Sequence, residues 1–235
     1  MTKEKDETIN PELVIDKTKS YSVSEAITLT KKQSSTFSSA EMAAKIAGRE
    51  NIRIHNSGTI SRMTARQVIE AAKLAEEGMS ADQIISKLEQ LKSRSTVLVA
   101  IDDPLYVYKG GRGKHFANLV SAVLPLKIAI MVGNDELLFK NRGRTFNSML
   151  NSIEETAIGL DPEELSVVHA GGEKSKQIAS EMAKNLKIRL KDQLVEPIDV
   201  FYAGLALETH AGPETVGIGI ISKKIIPEKV IFKSK

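Results

Sequence analysis

Thr96–Ile101 restricts the possible folds of this chain more than any other stretch, because its residues are apolar or β-branched without interruption. A short run of this kind is typical of a strand that is buried in a sheet. We therefore expect a sheet with a buried strand at this position, and the patterns on either side predict what surrounds it.

The patterns before this strand predict helices and short strands. The apolar spacing of Val68–Ala75 predicts a helix that ends at Gly78, and Ser80–Gln83 has the capping-box spacing that starts a second helix. The same spacing at Ser38–Glu41 predicts a helix that begins near Ser38. Short strands are expected over Ala26–Thr30 and Ile52–Ile54.

The patterns after this strand predict more strands than those before it, and this difference places a lobe boundary near Ser95. Gly133–Asp135 separates two strand-like segments and predicts a β-hairpin, and apolar spacing predicts helices over Phe146–Ala157 and Ile178–Leu190. Further strands are expected over Leu165–His169, Ile198–Tyr202, Val216–Ile221 and Lys229–Phe232. We predict a tail (1–23), an α/β lobe (24–95) and an α+β lobe (96–235), and hence the α/β class overall.

Composition excludes several classes of protein. The 235 residues include no cysteine, which excludes a disulfide scaffold, a thiolate zinc site and a cysteine nucleophile. Lys and Arg (33) nearly balance Asp and Glu (30), and aromatic residues make up 4%, so nucleic-acid binding is not expected. The four histidines lack paired ligand spacing, so we expect no metal site. No apolar run reaches roughly 18 residues and the start lacks a signal-peptide pattern, so we expect a cytoplasmic soluble protein.

Three polar turns are candidates for function, and each also has a structural interpretation. Hydroxyls and backbone N–H groups at Ser34–Phe37 can receive a carboxylate or phosphate, or can simply cap a helix. The glycines of Lys109–Lys114 permit a close approach, although the segment lacks P-loop spacing and also fits a solvated basic turn. Thr209–Glu214 places a hydroxyl and an imidazole on a predicted loop between strands, although a lone histidine is often structural. Arg142 is a weaker candidate, since most arginines lie on the surface.

Taken in order, six segments of the chain resemble motifs of the DegV family of bacterial fatty-acid-binding proteins. The resemblance runs from about Ser24 to the C-terminus. The segments are Gln33–Ala40 (family pattern L-S-G-T-Y-x-S-A), Asn56-Ser57 (Asp-Ser), Leu105–Arg112 (L-x-x-L-x-x-G-G-R), Arg142-Gly143 (V-R-G), His169–Gly171 (H-G-D) and Thr209–Pro213 (T-H-x-G-P-G).

The chain also departs from the family pattern. Ser35 replaces a turn glycine, Asn56 replaces an aspartate, and Glu214 replaces the last glycine of the terminal motif. The amino-terminal portion that is usual in the family, with a T-S-Q-P-S loop that supplies a ligand hydroxyl, has no counterpart here. We therefore expect a shortened first lobe.

The resemblance implies a two-lobe DegV-like fold. The first lobe would be a truncated α/β unit, and the second an α+β unit whose mixed or antiparallel sheet is flanked by helices. One long-chain fatty acid would bind with its acyl chain buried in the second lobe and its carboxylate between the lobes. Such a carrier is not an enzyme and needs no cofactor. It would present the carboxylate to the catalytic subunit of a separate ATP-dependent fatty acid kinase and contact membranes at most transiently.

The resemblance also implies which residues bind the ligand: Ser34, Thr36, Arg142, Thr209 and His210. Ser34 and Thr36 would donate hydroxyl hydrogen bonds near the positive end of a helix, His210 would bond to or pair with the head group, and Arg142 would be the cation. The acyl chain would run along apolar residues of the second lobe, most of which are also expected in an ordinary core. These residues are Leu124, Leu126, Ile128, Ile130, Met131, Leu137, Met149 and Leu150.

Two other functions stay open on the sequence. A truncated, ligand-free DegV relative with an interaction or regulatory role fits the missing loop and the changes at Ser35 and Glu214, and a closed second lobe would support it. An enzyme that acts on a phosphorylated small molecule would use Gly110–Arg112 and His210 as a base. An apolar tunnel would count against that enzyme.

Overall fold

The computed structural model describes residues 26–29, 35–48, 52–111, 126–191, 193–195, 197–227 and 230, which form helices and strands of an α/β protein. The strands are β1 (Ala26–Leu29), β2 (Arg53–Asn56), β3 (Ser95–Ile101), β4 (Lys127–Gly133), β5 (Glu136–Gly143), β6 (Pro162–His169), β7 (Asp199–Tyr202) and β8 (Val216–Ser222). The helices are α1 (Thr36–Ala47), α2 (Ser61–Glu76), α3 (Ala81–Ser93), α4 (Leu105–Lys109), α5 (Phe146–Gly159), α6 (Glu173–Arg189) and α7 (Leu205–Ala211). The predicted strand over 229–232 falls largely outside the described residues.

A six-stranded mixed sheet is the centre of the fold. Its strand order is β5-β4-β3-β8-β6-β7, and every neighbouring pair is antiparallel except β6 and β7. Every residue of β3 is buried, which confirms the strand predicted over Thr96–Ile101. The mixed sheet flanked by helices is likewise confirmed.

The predicted hairpin is confirmed and has a two-residue loop. Gly133 pairs with Glu136, and the residues between them, Asn134 and Asp135, have φ values of +49° and +65°. Such left-handed turns suit the twist of antiparallel strands. The Asp135 N–H donates to the Gly58 carbonyl (3.0 Å), and the Asn56 side chain bonds to the Asp135 carboxylate, so the hairpin is bonded to the β2–α2 loop.

The residues before β3 form a parallel pair of strands, β1 and β2, with helices α1, α2 and α3. The capping box at the start of α3 is confirmed, because the Gln83 N–H donates to Ser80 Oγ (3.4 Å) and the Ser80 N–H donates to Gln83 Oε1 (2.9 Å). The end of α2 before Gly78 is also confirmed. Gly78 has a φ of +82°, a conformation that glycine adopts without strain.

The start predicted for α1 is wrong by two residues. The helix begins at Thr36, and the Ser39 N–H already donates to the Ser35 carbonyl (2.9 Å). Ser38 therefore lies inside the first turn rather than at the cap, and Ser35 takes the cap position without a side-chain hydrogen bond. Phe37, the second residue of the helix, is buried.

A buried histidine joins β2 to α2 and α3. His55 is 2% exposed, its Nε2 lies 3.0 Å from Gln67 Oε1, and its Nδ1 lies 3.1 Å from Glu89 Oε1. The Gln67 amide in turn donates to the Ser57 carbonyl (3.0 Å). Burial lowers the pKa of His55 from its ordinary value of 6.5, against the opposing effects of Gln67 and Glu89. The contacts fix the start of α2 relative to β2.

The two faces of the central sheet are covered differently. Side chains alternate along a strand, so Leu98 and Ala100 of β3 face α5 and α6, where they join a closely packed core. Val97, Val99 and Ile101 face the opposite side, together with Met63 of α2 and Val107 of α4. The second face is the one that is not filled by its helices.

Candidate functional site

A cavity of about 610 Å³ lies between the second face of the sheet and helices α2, α4 and α7. Its volume falls in the range of roughly 300–1,000 Å³ that is usual for small-molecule sites. Its lining is predominantly aliphatic. The polar residues among the lining are Thr59, Ser61, Thr64, His169, His210 and Thr215. An elongated apolar molecule with one or a few polar groups is the chemistry that such a lining accommodates.

The floor of the cavity is formed by branched aliphatic residues beside a glycine. Gly217 of β8 lines the cavity, and a Cβ placed there would lie 3.6 Å from Val99 Cγ2 and 3.1 Å from the Leu98 carbonyl oxygen. Gly217 and Gly219 point to this face while Ile218 and Ile220 pack in the core on the other side. The missing side chains of β8 therefore help to keep the cavity open. The other floor residues of the central strands are Val97, Val99, Ile101, Ile130 and Val132.

The cavity runs along the strands and has polar groups at both ends. Val97 and Ile101 both line it, and four residues of strand span roughly 13 Å. The Val97 end lies beside Val132 and the hairpin that is bonded to Gly58, and therefore near the start of α2. At the other end, the register places His169 opposite Val216, which itself pairs with Ala100.

His210 lies at this second end, in contact with the glycine turn that follows α4. It is half-buried and lines the cavity, and a Cβ placed at Gly110 would lie 2.5 Å from its Nδ1. Gly212 also packs closely against Tyr106, since a Cβ there would lie 2.8 Å from Tyr106 Cδ2. Two of the polar segments identified in the sequence are therefore in contact, and neither glycine leaves room for a side chain.

His169 also lines the cavity and is held from two sides. The Gly171 N–H donates to its Nδ1 (3.2 Å), and its ring lies 5.8 Å from the Tyr202 ring, centroid to centroid. The Tyr202 hydroxyl donates to Glu208 Oε2 of α7 (2.7 Å). Burial lowers the pKa of His169, Lys176 lowers it further, and Glu173 opposes the shift. His169 is therefore neutral at neutral pH.

Helix α2 forms the wall opposite the sheet and is attached to β6 and β7. Arg66 donates to both carboxylate oxygens of Glu164, at 2.8 Å each, and this bond raises the pKa of Arg66. The guanidinium of Arg62 lies 4.2 Å from the centre of the Phe201 ring. The two contacts hold the first half of α2 over the cavity.

The five predicted ligand-binding residues are not all at the cavity. His210 lines it, whereas Ser34 lies outside the described residues. Thr36, Arg142 and Thr209 are exposed and do not line it; Thr209 donates its hydroxyl to the Leu205 carbonyl (2.8 Å). Arg142 pairs with Ile128 on the same face of the sheet as the cavity. The binding roles of all five stay predictions.

The loop predicted around His210 is wrong, because Thr209 and His210 lie in the last turns of α7. Leu205–Glu208 and Ala211 are good helix formers, and Gly212, with a φ of +90°, ends the helix. The polar pair is therefore presented by a short helix rather than by an extended loop.

The cavity does not lie within the predicted second lobe alone. Residues between Thr59 and Val68, from the predicted first lobe, supply one wall. Among the apolar residues expected to surround the acyl chain, Ile130 and Leu137 line the cavity. Met131 of β4 and Met149 and Leu150 of α5 pack instead in the core on the other face of the sheet, and Leu124 lies outside the described residues. The proposed division at Ser95 therefore stays a prediction.

Sequence reasoning missed the start of α2 and His169 as contributors to the site. The alternation of Gly217 and Gly219 with Ile218 and Ile220 was the sequence signal for a strand with one open face. His169 belongs to one of the segments that resemble family motifs. The sequence does not show, however, that the end of β6 lies beside α7 and that both line the same cavity.

The described part of the chain offers neither a metal centre nor a membrane-spanning helix. No group of three or more His, Cys, Asp or Glu side chains there is arranged to hold a metal ion. No helix within the described ranges has the length and hydropathy needed to cross a membrane. Gly110 and Gly111 belong to the described residues, whereas Arg112 of the same turn does not.

Comparison with known proteins identifies relatives over most of the chain. The DegV family, described as uncharacterised proteins, matches residues 13–223. A DegV domain-containing protein of Streptococcus pneumoniae strain R6 is 27% identical over 194 residues, which cover 80% of this chain and 65% of that protein. A fatty acid-binding protein of Thermotoga maritima is 26% identical over 213 residues, which cover 87% of this chain and 70% of that protein. The chain thus spans about 65% of the length of the streptococcal relatives.

Solved structures show the same fold. DegV of Bacillus subtilis, a fatty acid binding protein, superimposes with a TM-score of 0.69 at 23% identity, over 85% of this chain and 71% of that one. A stearic-acid-binding protein of Eubacterium ventriosum gives a TM-score of 0.69 at 22% identity, over 84% of this chain and 71% of that one. At these sequence identities, the structural matches establish the fold alone. The family match over residues 13–223 shows that this chain belongs to the DegV family.

Proposed function

We propose that this protein binds one long-chain fatty acid, with the acyl chain in the cavity between α2 and the central sheet and the carboxylate at the end near His210. The observation that carries the proposal is the aliphatic cavity of about 610 Å³ with histidines at one end. The names of the Thermotoga, Bacillus and Eubacterium relatives, all described as fatty-acid binding, support the ligand class.

The energetics favour a long chain over a short one. Transfer of some fifteen methylenes from water at ~0.8 kcal/mol each is worth about 12 kcal/mol before losses. Lost motion and ordering on binding remove a large share of this gain. Each shorter chain forfeits methylenes while the loss of overall motion changes little, so affinity should rise with chain length until the cavity is full.

The carboxylate needs polar partners, because an ionised group held in an apolar cavity without donors would cancel much of that gain. His210 is the described side chain among our predicted binding residues that reaches the cavity. Ser34 is proposed as a hydroxyl donor from the segment before α1, and Thr36, Arg142 and Thr209 are retained as predicted contributors.

We also propose that the bound acid is presented to a separate ATP-dependent fatty acid kinase, and that this chain performs no chemistry itself. The cavity reaches the surface beside Ala65 and Ala206, which are both exposed and both line it. A partner could therefore approach the opening between α2 and α7. Incubation of the loaded protein with such a kinase and ATP should yield an acyl phosphate, and no product from a loaded protein would contradict this role.

The two alternative functions are less well supported. A ligand-free relative was expected to have a closed interior, and the cavity counts against it. An enzyme for phosphorylated small molecules would need a polar site at Gly110–Arg112. The His210 ring that lies against Gly110 instead lines a cavity that is mainly aliphatic.

The binding proposal is tested by mass spectrometry of the protein purified from a bacterial host. We expect one fatty acid per chain in the native spectrum, and renewed uptake of hexadecanoic or oleic acid after the protein has been delipidated. A spectrum without lipid, together with no uptake of either acid, would refute the proposal.

A further inference from the structure

We propose that His169 is a second head-group residue, which donates its Nε2–H to the carboxylate of the bound ligand and makes the site selective for acids over their esters. The inference rests on the proposed function, because it assigns a role at the same cavity. His169 was not among the binding residues predicted from the sequence.

The position of His169 is the first argument. It is the last residue of β6, it lines the cavity, and it lies at the same end of the sheet as His210. Tyr202 links the two histidines. Its ring packs on the His169 ring, and its hydroxyl donates to Glu208, which lies two residues before His210 on α7. The two histidines therefore belong to one end of the cavity.

The hydrogen bond from Gly171 fixes which nitrogen can donate. A backbone N–H is always a donor, so Nδ1 of His169 accepts from Gly171 and carries no proton. The proton of the neutral ring must therefore be on Nε2, which is the nitrogen that remains for the cavity. The lowered pKa of His169 keeps the ring neutral at neutral pH, so that it offers a donor without a permanent buried charge.

The surroundings hold this arrangement in place. A Cβ at Gly171 would lie 2.8 Å from Tyr202 Cε2 and 2.9 Å from Glu208 Oε2, so the residue that bonds to Nδ1 must be glycine in the observed conformation, with a φ of +106°. The Ala203 N–H donates to the His169 carbonyl (2.8 Å), and the Ala170 N–H donates to the Thr215 carbonyl (3.0 Å). The imidazole is thus positioned before any ligand arrives.

A fixed neutral donor determines which head groups are favoured. A hydrogen bond to an ionised carboxylate is roughly twice as strong as one between neutral groups, so a free acid gains more than its methyl ester. An alkylamine, which is protonated and offers only donors, cannot accept from Nε2–H at all. The class of ligand is therefore a long-chain acid in its carboxylate form.

The test compares the wild-type protein with His169→Phe and His169→Gln after delipidation. Phe keeps an aromatic ring beside Tyr202 but has no N–H, and Gln restores an N–H donor. Binding of radiolabelled hexadecanoic acid and of methyl hexadecanoate is measured directly. We expect His169→Phe to weaken acid binding by about ten- to a hundredfold with little change for the ester, and His169→Gln to recover much of the acid preference.

The two binding measurements separate the outcomes. An acid-to-ester affinity ratio in His169→Phe that equals the wild-type ratio overturns the inference, whether both affinities are retained or both fall together. If the wild-type protein itself takes up neither ligand, the proposed function fails and this inference fails with it. Wild-type uptake with an unchanged ratio in the variant overturns only the role of His169.

Discussion

Leu98 and Val99 are neighbours on β3, yet the structure predicts opposite consequences when each is replaced by phenylalanine. Leu98 is fully buried in the core between the sheet and α5, whereas Val99 points to the cavity. Leu98→Phe must force extra volume into a filled space. Val99→Phe places its ring in a space of about 610 Å³ that the described residues leave open.

The expected magnitudes follow from these environments. Overpacking at Leu98 should lower the free energy of unfolding by about 1–3 kcal/mol, and each kcal/mol lowers Tm by about 2–4 °C in a protein of this size. Val99→Phe should leave stability nearly unchanged. If its ring displaces about three methylenes of the ligand at ~0.8 kcal/mol each, hexadecanoate binding weakens by ~2.4 kcal/mol, or about fiftyfold.

Both quantities are measured on delipidated protein, because bound ligand would itself raise the apparent stability. Urea denaturation gives the free energy of unfolding, and direct binding of radiolabelled hexadecanoate gives Kd. The reasoning is refuted if Val99→Phe destabilises the protein as much as Leu98→Phe does, or if it folds normally and binds hexadecanoate like the wild type.

Four further changes test other parts of the account. His210→Ala should weaken hexadecanoate retention without a loss of folding, and an unchanged dissociation rate would remove His210 from the site. Gly110→Ala should also weaken binding, because its methyl group would meet His210 Nδ1. Gly111→Ala should change stability alone, because no atom of the described residues lies within 4 Å of its Cβ. Equal Kd values for the two variants would contradict this. Glu164→Gln breaks the ion pair with Arg66 and should lower the free energy of unfolding by about 1–2 kcal/mol, a value between those for exposed and buried ion pairs. A double-mutant cycle with Arg66→Met, measured in urea, should show that the two changes are coupled; additive effects would contradict this. Folding lowers the pKa of His55, so as the pH falls the unfolded chain takes up the proton before the folded protein does. The free energy of unfolding should therefore be greatest above pH ~6.5 and decline below it. His55→Gln should reduce this decline in urea midpoints, and an unaltered pH profile would contradict the assignment.

The elements whose patterns are local could be predicted from the sequence. Burial on both faces leaves an uninterrupted apolar run, and this is why β3 was found from Thr96–Ile101. The capping box at Ser80 and the hairpin at Asn134-Asp135 follow from side chains and turns within a few residues. The family resemblance rested on short ordered motifs, and the match over residues 13–223 confirms it.

Features that depend on how distant segments meet could not be predicted in this way. Met131 and Ile130 are equally apolar neighbours, but one packs under α5 and the other lines the cavity, because the helices fill only one face of the sheet. The start of α2 lines the cavity, and the contacts that hold it there, from the hairpin loop to Gly58 and from Arg66 to Glu164, join residues far apart in the sequence. The capping pattern at Ser38–Glu41 likewise did not report that α1 begins at Thr36 with Phe37 buried in its first turn.

The position of the acyl chain is tested most directly by a crystal structure of the protein with 16-bromohexadecanoic acid, because anomalous scattering locates the terminal bromine without interpretation of weak density. With the carboxylate near His210 and His169, the bromine should lie at the other end of the cavity, beside Val97, Val132 and Leu137. A bromine between the sheet and α5, or on the surface of the protein, would contradict the account.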